Sequence, residues 1–77
     1  MFIERNWEDD KKELINMEVG TVLRIHEGLP SCWFLEVDAC GKEHVLQKNN
    51  SITIIRNQYQ ALKEQWVGGR DVYVIEE

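Results

Sequence analysis

The chain has 77 residues, of which 43% are hydrophobic and 30% are charged, and its formal net charge at pH 7 is −5. This length predicts one small globular domain over residues 1–77, whose stability a second copy or a bound partner can supplement. The negative charge disfavours broad attachment to nucleic acid or to an anionic membrane. Since no apolar run approaches the about 18 residues of a membrane span and the N-terminus lacks the features of a secretory signal, we expect a cytoplasmic protein.

The N-terminal segment NWEDDKKELIN predicts a short helix over residues 7–14. Asn6 is the candidate N-cap, and acidic residues in the first turn suit the helix dipole. The apolar face is thin, because Trp7 and Leu14 lie two turns apart. An alternative is an acidic surface that imitates nucleic-acid phosphates or binds a cation, formed by Glu8, Asp9, Asp10 and Glu13.

From Ile15 onward, apolar and polar residues alternate, which is typical of half-buried strands. A long first strand over residues 15–26 is followed by a loop and by a second strand in CWFLEVD. A three-residue Ala39-Cys40-Gly41 loop then predicts a hairpin in which Asp38 faces Lys42. Asn49 and Asn50 predict another tight turn. The result is a four-stranded antiparallel meander.

These loops place Leu35 opposite both Leu23 and Val45, and Val45 opposite Ile54. One face of the sheet then collects the predicted core, which consists of Leu23, Ile25, Trp33, Leu35, Val37, Val45, Ile52 and Ile54.

Two histidines and two cysteines lie between His26 and His44, which raises the question of a metal site or a disulfide. In the predicted register His26 faces Cys32, whereas Cys40 lies at the far hairpin, about 20 Å along the strand. A disulfide or a tetrahedral zinc site requires much closer approach. We therefore expect free thiols, no metal and no cofactor.

After the meander, residues 58–67 predict a second helix, with Asn57 as a cap and Gly68-Gly69 as its end. RDVYVIEE predicts a C-terminal strand that can pair with the long first strand. The predicted fold is thus α+β and mainly antiparallel β, either a strongly curled sheet or a small barrel. At the level of topology it is similar to OB and SH3-like barrels, and this similarity carries little functional weight.

The other face of the predicted sheet is too apolar for an ordinary solvated surface. It brings together a candidate binding surface of Arg24, Phe34, His44, Leu46 and Ile55. Two interpretations stay open, since one of the helices can cover this face or part of it can receive a partner.

These features predict a protein-binding module, an adaptor, regulator or inhibitor without enzymatic activity, whose partner is an unidentified protein or a second copy. The alternative is a single-stranded nucleic-acid binder in which Phe34 stacks a base and Arg24, Lys42, His44 and Lys48 contact the backbone. The net charge of −5 favours the protein-binding module. No enzyme is expected, because a base, a nucleophile and oxyanion donors cannot be brought together.

Overall fold

Residues 1–8 and 10–76 are described by a computed structural model, and in them the chain forms six strands and one helix. The elements are β1 (Phe2–Asn6), β2 (Lys12–Asn16), β3 (Val22–Leu29), β4 (Cys32–Ala39), β5 (Lys42–Asn49), α1 (Ile52–Val67) and β6 (Val72–Glu76). The strands form two open sheets of three, with the orders β2-β1-β6 and β3-β4-β5. The predicted four-stranded meander with two helices, and the barrel built from it, are therefore wrong.

The predicted helix over residues 7–14 is replaced by a β-hairpin. β1 and β2 pair antiparallel, with Ile3 opposite Ile15, and both side chains are buried. The connecting loop is closed by a hydrogen bond from the Trp7 amide to the Lys11 carbonyl at 2.9 Å. The burial of alternate isoleucines in paired strands stabilises this segment more than the predicted helix would, because that helix has only two apolar residues over two turns.

The long first strand predicted over residues 15–26 is divided between the two sheets. Gly20 has φ +92°, and the Thr21 amide donates to the Glu18 carbonyl at 3.1 Å, so a tight turn separates β2 from β3. β6 consequently pairs in parallel with β1, rather than with a strand continuous with β3.

The fourth strand of the predicted meander is the first half of α1. Ser51 caps this helix, because its hydroxyl accepts a hydrogen bond from the Ile54 amide at 3.5 Å. The helix therefore begins at Ile52, six residues before the predicted start near residue 58. Ile55 and Leu62 are its fully buried residues.

The core lies between the inner faces of the two sheets and one side of α1. Its buried hydrophobic residues are Ile3, Ile15, Met17, Leu35, Val37, Ala39, Leu46, Ile55, Leu62 and Ile75. Leu23, Ile25 and Trp33 pack against this cluster, as the alternation predicts. Val45 and Ile54 do not belong to it, since they are 37% and 45% exposed.

The register of β5 explains the changed position of Val45. The hairpin between β4 and β5 has a two-residue turn, in which Cys40 and Gly41 both have positive φ, instead of the predicted three-residue loop. Val45 consequently faces Glu36, on the outer side of the sheet. A bulge at Leu46 of β5 then shifts the register again, so that Leu35 faces Gln47, and Leu46 is buried.

Candidate functional site

The candidate surface predicted from the sequence is divided by the fold. Leu46 and Ile55 are fully buried in the core and are not available to a partner. His44 lies opposite the buried Val37, and only 13% of its side chain is exposed. Only Arg24 and Phe34 remain on the outer face of the β3-β4-β5 sheet.

His44 instead connects the two sheets. Its Nδ1 atom lies 2.8 Å from Glu13 Oε2, and Glu13 belongs to β2 of the other sheet. This contact also affects the predicted acidic surface, because it engages one of its four members inside the domain. Glu8 and Asp10 are exposed in the β1–β2 loop, and Asp9 lies outside the described residues.

A cleft of about 480 Å³ lies beside β5, where the outer face of the β3-β4-β5 sheet meets residues of the first sheet. Phe34, Val45 and Lys48 form its wall on the β3-β4-β5 sheet. The opposite wall comes from the first sheet and the residue after β1. The complete lining is Arg5, Trp7, Phe34, Val45, Gln47, Lys48, Asn49 and Glu76. We call this site the Trp7–Phe34 cleft.

Arg5 connects the walls of this cleft. Its Nε atom donates to the Leu46 carbonyl oxygen at 2.5 Å, and its Nη1 atom donates to the Asn6 carbonyl at 2.6 Å. The guanidinium carbon lies 3.7 Å from the centre of the Trp7 ring, which is cation–π geometry. Arg5 is only 2% exposed, so it holds Trp7 and β5 in place from beneath the surface.

Phe34 is positioned by Gly28, which lies next to the irregularity in β3. A methyl group at position 28 would lie 1.7 Å from Phe34 Cε2, so the aromatic ring occupies the space above this glycine. On its other side Phe34 contacts the His26 ring, with 5.4 Å between the ring centres. Its place in the cleft wall therefore depends on a residue without a side chain.

The cleft continues past Phe34 into a shallower groove of about 400 Å³. The two share Phe34, Lys48 and Asn49, and the groove adds Leu29, Cys32 and Asn50. The two cavities adjoin at Phe34, Lys48 and Asn49. A ligand that occupies both must pass these three residues, which suits a peptide segment with side chains in each cavity.

Arg24 is occupied by carboxylates on the outer face of the sheet. Its Nη2 atom lies 3.2 Å from Asp38 Oδ2, and its Nε atom lies 3.8 Å from Glu36 Oε2. Glu36 also accepts from His26, with 2.8 Å between Oε1 and Nε2. The hydrogen bond to Glu36 raises the pKa of His26 above its ordinary value.

This pKa shift predicts a pH-dependent contribution of His26 to stability. A raised folded-state pKa means that the contribution is complete below the unfolded-state pKa and is lost as pH rises through the folded-state value. His26→Gln should therefore destabilise the protein more at about pH 5.5 than at about pH 8.5, which thermal melts at both values measure. In a Glu36→Gln background this difference should shrink. Equal destabilisation at both pH values would contradict the prediction.

Both cysteines are free: Cys32 is the first residue of β4, and Cys40 lies in the turn directly after it. Among residues 1–8 and 10–76, no group of three or more histidine, cysteine or acidic side chains is arranged to hold a metal ion. Within the same part of the chain, α1 is neither long nor apolar enough to cross a bilayer.

Comparison with protein-family models, curated proteins and solved structures found no match.

The alternation places Phe34 on the outer face of its sheet but does not bring Trp7 or Lys48 to it. The sequence predicts Trp7 within a helix, and it gives Lys48 as a backbone contact of the nucleic-acid alternative. One signal was present, since Ile3, Arg5 and Trp7 share one side of an alternating segment, and an arginine between apolar residues indicates a buried polar role.

Proposed function

We propose that this protein is a non-enzymatic binding module that holds an extended segment of a partner protein in the Trp7–Phe34 cleft. The observation that carries the proposal is that two aromatic side chains, Phe34 on β4 and Trp7 directly after β1, line one cleft beside β5. Aromatic residues are the side chains most enriched among the anchors of protein interfaces.

The charges in the cleft favour a peptide over a polyanion. Among the described residues, three charged side chains line the cleft, those of Arg5, Lys48 and Glu76. The buried Arg5 guanidinium is bound to two backbone carbonyls, so Lys48 and Glu76 present opposite charges to a ligand, and a ligand with mixed charge fits better than a chain of phosphates. Of the cations proposed for the nucleic-acid alternative, Arg24 is paired with acidic residues and His44 is engaged by Glu13. Only Lys48 lies beside Phe34, which it faces across the strand pair.

The lining of the cleft also favours binding over catalysis. Among the described side chains that line the cleft, none is a serine, cysteine or histidine. The adjoining groove contains the free thiol of Cys32, and its described lining includes no histidine or carboxylate to activate that thiol. The apolar lining and the side-chain amides of Gln47 and Asn49 are groups that recognise a peptide backbone and its side chains.

Selection of peptides from a displayed random library tests this proposal. Enriched peptides, synthesised and titrated by calorimetry, should bind the native protein, and Phe34→Ala or Trp7→Ala should weaken binding by about 2 kcal/mol or more. Val67→Ala is the matched control, because Val67 is 81% exposed on α1 and lies outside the lining. Amide chemical shifts of each variant establish that it is folded.

Two results would contradict the proposal. The first is that selected peptides bind the Trp7→Ala and Phe34→Ala variants as tightly as the native protein. The second is micromolar or tighter binding of a mixed single-stranded oligonucleotide at physiological salt, with affinity that falls steeply as salt is raised, which would favour the nucleic-acid alternative.

A further inference from the structure

A second surface lies on the outer face of the β2-β1-β6 sheet, away from the core. Ile3, Ile15 and Ile75 point inward, so their neighbours along each strand point outward. Four large hydrophobic residues are exposed there: Phe2 (40%), Val72 (44%), Val74 (48%) and Leu14 (65%). We call these four residues, together with Glu4, the Glu4 face.

Glu4 lies at the centre of this face. In the strand register it is flanked by Leu14 on β2 and by Val74 on β6, and the next outward residue of β1 is Phe2, which is flanked by Val72. Asn6 Nδ2 donates a hydrogen bond to Glu4 Oε2 at 3.2 Å. Among the residues that the structure describes, Glu4 forms no ion pair.

The central carboxylate determines which occupant suits this face. Lys12 also lies on this side of the sheet, opposite Asn6 at the end of the strand pair. In a symmetric contact whose two-fold axis passes through the centre of the face, Glu4 would oppose Glu4 of the second copy, and both charges would lose water among apolar side chains. A lysine or arginine surrounded by apolar residues would instead neutralise Glu4 while its neighbours cover the hydrophobic side chains.

We infer that the Glu4 face docks a partner protein that presents one basic side chain within an apolar surface. A second copy of the chain is disfavoured at neutral pH. Glu4 thus determines specificity, because its charge favours a partner with a basic side chain and disfavours the association of two copies of the chain. This surface is separate from the Trp7–Phe34 cleft, so the inference does not depend on the proposed function.

The chain itself supplies a probe of the required chemistry. The Glu4→Lys variant presents the same four hydrophobic residues around a cation, which makes it complementary to the native face. An equimolar mixture of native protein and Glu4→Lys should form a heterodimer about tenfold or more tighter than the homodimer of either protein. Sedimentation velocity measures the association, and native mass spectrometry gives the composition of the dimer.

Three controls identify the surface. Leu14→Asp in the native partner should abolish the heterodimer, because it places a charge in the contact. Glu64→Lys makes the same charge change at an exposed position on α1, and a mixture of it with native protein should remain monomeric. Raised salt should weaken the heterodimer, because one charged pair lies at its centre.

A monomeric mixture of folded native protein and Glu4→Lys would overturn the inference, as would a native homodimer at neutral pH that Leu14→Asp dissociates. If Glu4→Lys does not fold, Glu4→Gln provides the second test. Without the central charge it should self-associate more tightly than the native protein, and self-association no stronger than that of the native protein would equally overturn the inference.

Discussion

Leu46→Ala should lower the free energy of unfolding by about 2–5 kcal/mol, whereas Val45→Ala should lower it by less than about 1 kcal/mol. Leu46 is fully buried among core residues, so its truncation leaves a cavity. Val45 is 37% exposed in the wall of the cleft and can lose two methyl groups with little loss of packing. For a domain of this size the first change removes much of the total stability.

Urea denaturation of the two variants and of the native protein measures this difference directly. The pair is internally matched, because both residues lie next to each other on β5 and both are truncated to alanine. The alternation in the sequence predicts the opposite order, with Val45 in the core and Leu46 outside. If Val45→Ala is the more destabilising change, β5 has the register that the sequence alone predicts, and the cleft described above does not exist.

The length of one turn decides between these two registers. The sequence is compatible both with a three-residue Ala39-Cys40-Gly41 loop and with a two-residue Cys40-Gly41 turn, because both end at the glycine. They differ by one position, and a shift of one position turns every following side chain to the other face. The sequence does not identify the bulge opposite Leu35 either, because packing between the sheets, and not local sequence propensity, determines where a bulge forms.

On β3 and β4 the alternation of apolar and polar residues was sufficient to predict which face of the sheet each residue occupies. The observed pairs, such as Ile25 with Leu35, differ by two positions from the predicted pairing of Leu23 with Leu35. A shift of two positions preserves which face each residue occupies, so Leu23, Ile25 and Trp33 still pack against the core and Phe34 still points outward. The side of the sheet on which each of these residues lies was therefore predictable from these two strands.

At the N-terminus and at α1, local signals for two structures compete. NWEDDKKELIN contains a plausible cap and favourable charges for a helix, but the burial of Ile3 against Ile15 requires a strand partner that no local pattern shows. Residues 52–56 are β-branched apart from Arg56 and read as a strand, yet the Ser51 cap and the buried Ile55 place them in a helix. In both places tertiary packing overrides propensity.

The cleft could not be predicted from the sequence because its two walls come from separate sheets. Phe34 was found from alternation within one sheet, whereas Trp7 reaches it only through the pairing of β1 with β2 and β6 and the packing of the two sheets. The contact that fixes this arrangement is the hydrogen bond from Arg5 to the Leu46 carbonyl, 41 residues apart in the chain. A contact between residues so far apart in the chain cannot be predicted from the local sequence pattern.

Arg5→Ala should consequently destabilise the protein by about 3 kcal/mol, since it leaves the buried Leu46 carbonyl without its donor and also removes packing beneath Trp7. Urea denaturation measures the loss. A second readout is the tryptophan fluorescence of the folded variant, which should differ from that of the native protein because Trp7 loses the guanidinium that lies against its ring.

Arg5→Met separates the two contributions to this effect. Methionine restores most of the volume but donates no hydrogen bond, so its cost should be smaller than that of alanine. It should be close to the about 1–3 kcal/mol of one unsatisfied buried carbonyl, that of Leu46, because the Asn6 carbonyl is only partly buried. Burial of a guanidinium is itself costly, and an apolar side chain of similar size can sometimes replace it without loss. An Arg5→Met variant as stable as the native protein would therefore show that Arg5 is not what holds β5 against the first sheet, and that the walls of the cleft are held together by the core alone.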